Sequence, residues 1–120
     1  MRIIVYGSLR HKQGNSHWMT NAQWLGDYVL EDYELYDLGY YPALVPGKGK
    51  VYSEVYRINS SILSELDELK NYGQDYERIL VPTPYGSAWM YIYLGSTENL
   101  KRIECGDWIK RDGDADISEE

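Results

Sequence analysis

The chain opens with three consecutive apolar residues, Ile3, Ile4 and Val5, and the run breaks at Gly7-Ser8. An apolar run without alternation, ended by turn residues, predicts a strand over residues 2–6 that is buried on both faces and followed by a tight turn. Residues 10–16 are polar and loop-like, and Ser16 is placed to cap a short helix over 17–22. Residues 24–30 and 33–38 read as two strands about an acidic turn, Glu31-Asp32. Residues 39–49 carry Pro42, Pro46 and three glycines, which predicts mostly loop, with 43–45 extended. Residues 50–58 alternate strictly. Val51 and Val55 share one face; Tyr52, Glu54 and Tyr56 share the other.

Asn59 or Ser60 then caps a helix over 61–70. Its apolar stripe is Ile62, Leu66 and Leu69, with Leu63 alongside. Residues 76–82 and 87–94 form strands around Thr83-Pro84-Tyr85-Gly86, a hairpin signature. In the second strand Trp89, Tyr91 and Tyr93 lie on one face, and Ala88, Met90 and Ile92 on the other. Residues 100–109 are weakly strand-like. Strands dominate and do not alternate regularly with helices, so the fold class is α+β, a small barrel with helices attached.

The 120 residues suit one domain, placed over 1–111, with 112–120 an acidic tail unable to offset the entropy of ordering. Net charge is −7, but five of the nineteen acids sit in that tail, leaving twelve bases against fourteen acids in the body. That balance argues against nucleic acid or an anionic membrane as partner. No apolar run approaches a membrane span. With one cysteine, Cys105, no intramolecular disulfide framework exists, and a cytoplasmic location is the default. Thirteen tyrosines and no phenylalanine imply a core whose polar ring tips need partners.

Three features carry candidate chemistry. At Tyr6-Gly7-Ser8-Leu9 a strand stops in a turn whose backbone N–H groups could face an anion, as against an ordinary strand-end turn. Glu54 lies between Tyr52 and Tyr56, and is a candidate proton carrier if that face is interior and a surface acid if it is not. Asp67 on the helix could pair with Arg78 on the following strand. His11, His17 and Cys105 give little support to a metal site, and Asp112, Asp114 and Asp116 imitate only the opening of a calcium loop. Bottom-up, these features describe a polar-aromatic cavity and no particular reaction.

Taken in order, Tyr6-Gly7-Ser8-Leu9-Arg10, Gly39-Tyr40-Tyr41-Pro42, Glu54-Val55-Tyr56, Leu66-Asp67, Tyr76-Glu77-Arg78 and the strand around Trp89 and Tyr93 resemble the γ-glutamylcyclotransferase-like superfamily, in its small bacterial branch. The resemblance runs from residue 1 to Asp107-Trp108. It implies a small mixed β-barrel flanked by short helices, with a cavity at one end that takes a small molecule. In active relatives it implies that the 6–9 turn binds the carboxylate end of a γ-glutamyl group. A helix glutamate there acts as general base on the α-amine, which attacks the γ-carbonyl and releases 5-oxoproline without metal or cofactor.

Those relatives carry Leu-Asp-x-x-Glu on the helix. Here the stretch is Leu66-Asp67-Glu68-Leu69-Lys70, so Lys70 stands at the glutamate position. A solvated lysine is protonated at pH 7 and cannot accept a proton. Glu68 lies roughly 200° around the helix from it. The remaining candidate bases are Glu54 and Asp67. The implied substrate-binding residues are Tyr6, Gly7, Ser8, Leu9, Tyr41, Tyr76 and Arg78. Two functions follow as expectations. One is a γ-glutamylcyclotransferase or γ-glutamylamine cyclotransferase; the other is a non-catalytic relative that binds a small acidic metabolite. Either is expected to be a monomer or a weak homodimer. Lys70 is expected to point into the cavity or its rim, favouring anionic over zwitterionic ligands.

Overall fold

Ile3, Ile4 and Val5 lie in β1 (Arg2–Val5), an inner strand of a six-stranded sheet. The computed structural model describes residues 1–13 and 16–111, so the expectation for the 112–120 tail lies outside the described residues. The other strands are β2 (Gln23–Asp37), β3 (Pro42–Arg57), β4 (Tyr76–Val81), β5 (Ala88–Tyr93) and the two-residue β6 (Lys101–Arg102). The order is β4-β5-β1-β3-β2-β6. β1 runs antiparallel to β3 and parallel to β5, which makes the sheet mixed. It curls into a half-barrel with one α-helix among the described residues, α1 (Ser60–Leu69), packed on it. The class is α+β, as expected.

β1 is buried on both faces, as its unbroken apolar run requires. Ile3 and Val5 pack toward α1 with Ile62, Leu63 and Leu66. Ile4 joins the other core with Leu44, Val55, Met90 and Trp108. β5 divides in the same way: Tyr91 faces the helix, while Ala88, Met90 and Ile92 face the other core. Asn59 caps α1 by accepting a hydrogen bond from the Ile62 N–H at 2.9 Å.

Several segments differ from the sequence expectation. The two strands expected over 24–30 and 33–38 are one continuous strand, β2, because Asp32 (φ 70°) sits at an irregularity in the ladder, opposite the extra residues 47–49 of β3, rather than in a turn. The loop expected over 39–49 is largely strand. Pro42 begins β3, and Pro46 pairs beside the bulge at Tyr33. β1 reaches only residues 54–57 of β3, so Pro46 interrupts no ladder on that side. The helix expected over 17–22 is a 3₁₀ turn, Ser16–Met19. Of residues 100–109, only Lys101 and Arg102 pair as strand, and Trp108–Lys110 forms a second 3₁₀ turn. The segment between them is tied to the sheet by bonds from Ile103 N–H to Leu35 O (2.8 Å) and from Tyr52 N–H to Gly106 O (2.8 Å). Gly106 has a positive φ of 72°, and a Cβ there would overlap the Lys50 carbonyl, so this seam requires glycine.

Candidate functional site

The β1 strand ends at Val5, and Tyr6, Gly7, Ser8 and Leu9 form the turn that follows, all four buried. The turn is closed by a bond from Arg10 N–H to Gly7 O at 2.9 Å. A Cβ on Gly7 would overlap the Pro42 ring, so glycine here permits close packing of the turn on the start of β3. The four residues line a small cavity of about 10 Å³ together with Ile4, Val5, Lys70 and Tyr91. That is roughly the room one water needs, so any larger ligand enters only if the walls of this cavity move.

Lys70 is the C-cap of α1, and only 7% of its surface is exposed. Its ammonium faces rings from four separate segments. The centroids lie 4.8 Å (Tyr76), 5.6 Å (Tyr6), 6.0 Å (Tyr41) and 6.0 Å (Tyr91) from Nζ. Three of the ring hydroxyls donate elsewhere: Tyr6 to Tyr91 O (2.8 Å), Tyr76 to Pro42 O (2.6 Å) and Tyr91 to Asp67 Oδ1 (2.7 Å). Burial raises the pKa of Tyr6, Tyr76 and Tyr91 above the ordinary tyrosine value, so all three stay neutral. The lysine therefore has π faces around it and no carboxylate among the contacts described here. Desolvation lowers its pKa from the usual lysine value to about 8. The solvated lysine assumed from sequence is thus corrected: this amine is buried, and its charged form is disfavoured relative to a solvated one.

The two candidate carboxylates occur in different settings. Glu54 is 6% exposed, so its face is interior. It accepts three hydrogen bonds, from Arg10 Nε (3.1 Å), the His11 N–H (3.0 Å) and the Tyr56 hydroxyl (2.8 Å). Arg10 also reaches Asp107 Oδ1 at 2.9 Å, and the same oxygen caps the last 3₁₀ turn by accepting from Ile109 N–H. Tyr52, expected on the same face, is 43% exposed. Glu54 lines a separate cavity of about 350 Å³ with His11, Trp24 and Asp27.

Asp67 and Arg78 take up the pairing that the sequence left open, through two bonds of 2.9 and 3.1 Å. The guanidinium also lies against the Trp89 and Tyr72 rings, at 4.4 and 4.7 Å. Arg78 thus braces Asp67, and Asp67 braces Tyr91, one wall of the lysine cage.

The structure therefore gathers Tyr6, Gly7, Ser8, Leu9, Lys70, Tyr41 and Tyr76 into one place. Asp67 and Arg78 stand behind Tyr91, and Glu54 belongs to the Arg10 cluster. Tyr91, Arg10 and Asp107 were not singled out for the site from sequence. A signal for Lys70's burial was present: it follows Leu63 by seven and Leu66 by four, which puts it on the helix's apolar stripe.

Residues 3–110 match the family model described as gamma-glutamyl cyclotransferase, AIG2-like. The chain is 62% identical over 112 residues to the gamma-glutamylcyclotransferase family protein YtfP of Escherichia coli strain K12, covering 93% of this chain and 99% of that one. The solution NMR structure of the E. coli ytfP protein superimposes with a TM-score of 0.79 over the same shares of the two chains. The crystal structure of PH0828 from Pyrococcus horikoshii matches with a TM-score of 0.86 at 32% identity, covering 100% of this chain and 99% of that one. On sequence and fold together, the chain belongs to the gamma-glutamyl cyclotransferase, AIG2-like family.

Proposed function

We propose that this family member binds a small acidic metabolite of γ-glutamyl type, or its deaminated equivalent, at the turn formed by Tyr6, Gly7, Ser8 and Leu9. Lys70 supplies the counter-charge. The observation that carries this reading is the Lys70 ammonium, buried beside the turn with aromatic rings and no carboxylate around it. A ligand carboxylate replaces part of the hydration that the ammonium lost on burial. A ligand ammonium meets a like charge there. The preferred ligand is therefore an acid without an α-ammonium.

Glu54 already accepts from an arginine, a backbone amide and a phenol, and Asp67 from an arginine and a phenol. A base committed to that many donors is poorly placed to take a proton from substrate. On this reading the wild type binds and does not release 5-oxoproline. Family membership favours the second reading, intramolecular attack of a γ-glutamyl amine on its own γ-carbonyl.

Calorimetry with glutarate against γ-glutamyl amines, run beside an assay for 5-oxoproline, separates the two. The first reading expects glutarate to bind more tightly, no product from wild type, and a gain of product in Lys70→Glu. Robust product formation by wild type that Glu54→Gln abolishes would show that the base has moved to Glu54.

A further inference from the structure

Residues 101–111 invert the charge of an acidic protein. Net charge is −7, yet Lys101, Arg102, Lys110 and Arg111 supply four of the twelve bases. These four, from β6 and the end of the second 3₁₀ turn, line one cavity of about 170 Å³ in which the acids are Asp37 and Glu104. We propose that this cavity binds a phosphate group, carried as inorganic phosphate or on a small ester. It shares no lining residue with the Lys70 cavity, so neither reading rests on the other.

The two guanidiniums are held in place with donors to spare. Arg111 stacks on the buried Trp108 ring, 3.7 Å from its centroid, and donates one N–H to the Trp108 carbonyl at 2.7 Å. That fixes the planar head group and leaves its other N–H groups without a described acceptor. The Arg102 side chain donates to no described acceptor. Each guanidinium faces a carboxylate at 3.9 Å, Arg102 to Glu34 and Arg111 to Asp37, which is beyond hydrogen-bond reach. Nearer donors already occupy those carboxylates. Glu34 accepts from the Tyr36 hydroxyl (3.0 Å) and the Lys48 N–H (3.2 Å), and Asp37 from the Gly39 N–H (2.6 Å). Among the described residues neither Lys101 nor Lys110 has an ion-pair partner.

Charge and room select the ligand. A phosphate monoester carries about −1.5 to −2 at pH 7 and offers three strong acceptor oxygens, which suit two open guanidinium forks and two ammoniums. The cavity has roughly ten times the room one water needs, so the group enters without movement of the walls. A nucleic acid is disfavoured, because its further phosphates would meet a body in which acids outnumber bases.

Cys105 lines the same cavity, is exposed and is the one cysteine of the chain, so its alkylation reports on occupancy. The test follows reaction of the full chain with iodoacetamide, a neutral reagent, beside calorimetry, at an ionic strength held with sodium chloride. Glycerol 3-phosphate should bind with a Kd below about 1 mM and slow alkylation at least about threefold. Glycerol should do neither. Equal affinity for inorganic phosphate would support a site for the free anion, and tighter binding of the ester a site for an ester. Lys101→Ala with Lys110→Ala removes two exposed cations and should weaken binding at least about tenfold with the unfolding temperature retained. Lys12→Ala with Lys48→Ala makes the same change in net charge elsewhere and should leave affinity within about twofold. Equal losses in the two double variants would reduce the effect to overall charge and overturn the site. So would neither heat nor protection at 10-fold the expected Kd. Protection of Cys105 by glutarate as strong as by the ester overturns phosphate as the ligand class. Asp112, Asp114 and Asp116 follow Arg111 in sequence. If phosphate binds only after all three are changed to Asn, the chain's own acids hold the cavity and the phosphate site falls.

Discussion

Asp67 grips Arg78 with both carboxylate oxygens, Oδ1 at 2.9 Å from Nε and Oδ2 at 3.1 Å from Nη2. The fork joins α1 to β4, the edge strand beside β5, and it is partly buried. Arg78→Lys keeps the charge and loses the planar two-bond geometry and the stacking on Trp89. The expected cost is about 1–2 kcal/mol in urea unfolding, with Arg78→Ala costing more. Glutarate affinity should fall as well, because Asp67 holds the Tyr91 wall of the lysine cage. A lysine variant as stable as wild type would show that the fork does not hold these elements together.

Glu54→Gln should act on stability first. It leaves the Arg10 guanidinium buried with half its charge compensation gone, at an expected cost of about 3–5 kcal/mol in denaturant unfolding. At temperatures where the variant stays folded, its affinity for glutarate should be within a few-fold of wild type, because Glu54 lines a different cavity from Lys70.

Lys70 makes stability depend on pH in a direction opposite to that of a salt-bridged lysine. Its folded-state pKa is about 8 and its unfolded value is the ordinary lysine one, near 10.4. Between these values the unfolded chain binds more protons, so stability rises with pH across the window from about 8 to 10.4. Below pH 8 the penalty for the buried ammonium is fully present. Lys70→Met removes the titrating group and fills similar volume. Wild type minus Lys70→Met, followed by denaturant unfolding from pH 7 to 10.5, should show wild type gaining on the order of a few kcal/mol across that window. A flat difference would mean that Lys70 is solvated.

Gly7→Ala should destabilise by about 1–3 kcal/mol through overlap with the Pro42 ring. Pro42→Ala in the same chain should recover part of that loss, and the non-additivity in a thermal-unfolding cycle measures the contact. Full additivity would mean that the turn does not pack on β3.

What sequence revealed and what it hid divides along the range of the interactions. β1, the α1 stripe with its Asn59 cap, and the β4–β5 hairpin were legible because each is specified by residues a few positions apart. The Asp67–Arg78 pair, across eleven residues, was open to the sequence only as one possibility beside two solvated charges. The long arms of β2 and β3 were not legible. Asp32 and Pro46 look like breaks in a local reading, and only the pairing of Tyr33 with Pro46, with residues 47–49 bulged opposite Asp32, keeps both inside the ladder. Arg10 meets Glu54 across forty-four residues and Asp107 across ninety-seven, and no local pattern announces either contact. For Lys70 the helical spacing signalled burial, yet the four rings that set its chemistry come from distant segments. Sequence periodicity indicates which way a residue points and is silent about what it meets there.

The mixed pairing of β1 also has a bearing on how the chain reaches this fold. β1 needs β3 on one side and β5 on the other, and the Tyr6 hydroxyl bonds to the Tyr91 carbonyl eighty-five residues away. A ribosome must therefore release most of the domain before the middle of the sheet can close. Until then β1 waits as an apolar strand with an unpaired edge, a template for any other extended chain nearby. Non-local closure of this kind folds slowly. The vulnerable stage for this protein is thus its synthesis, when a strand that will be buried on both faces emerges long before its partner β5.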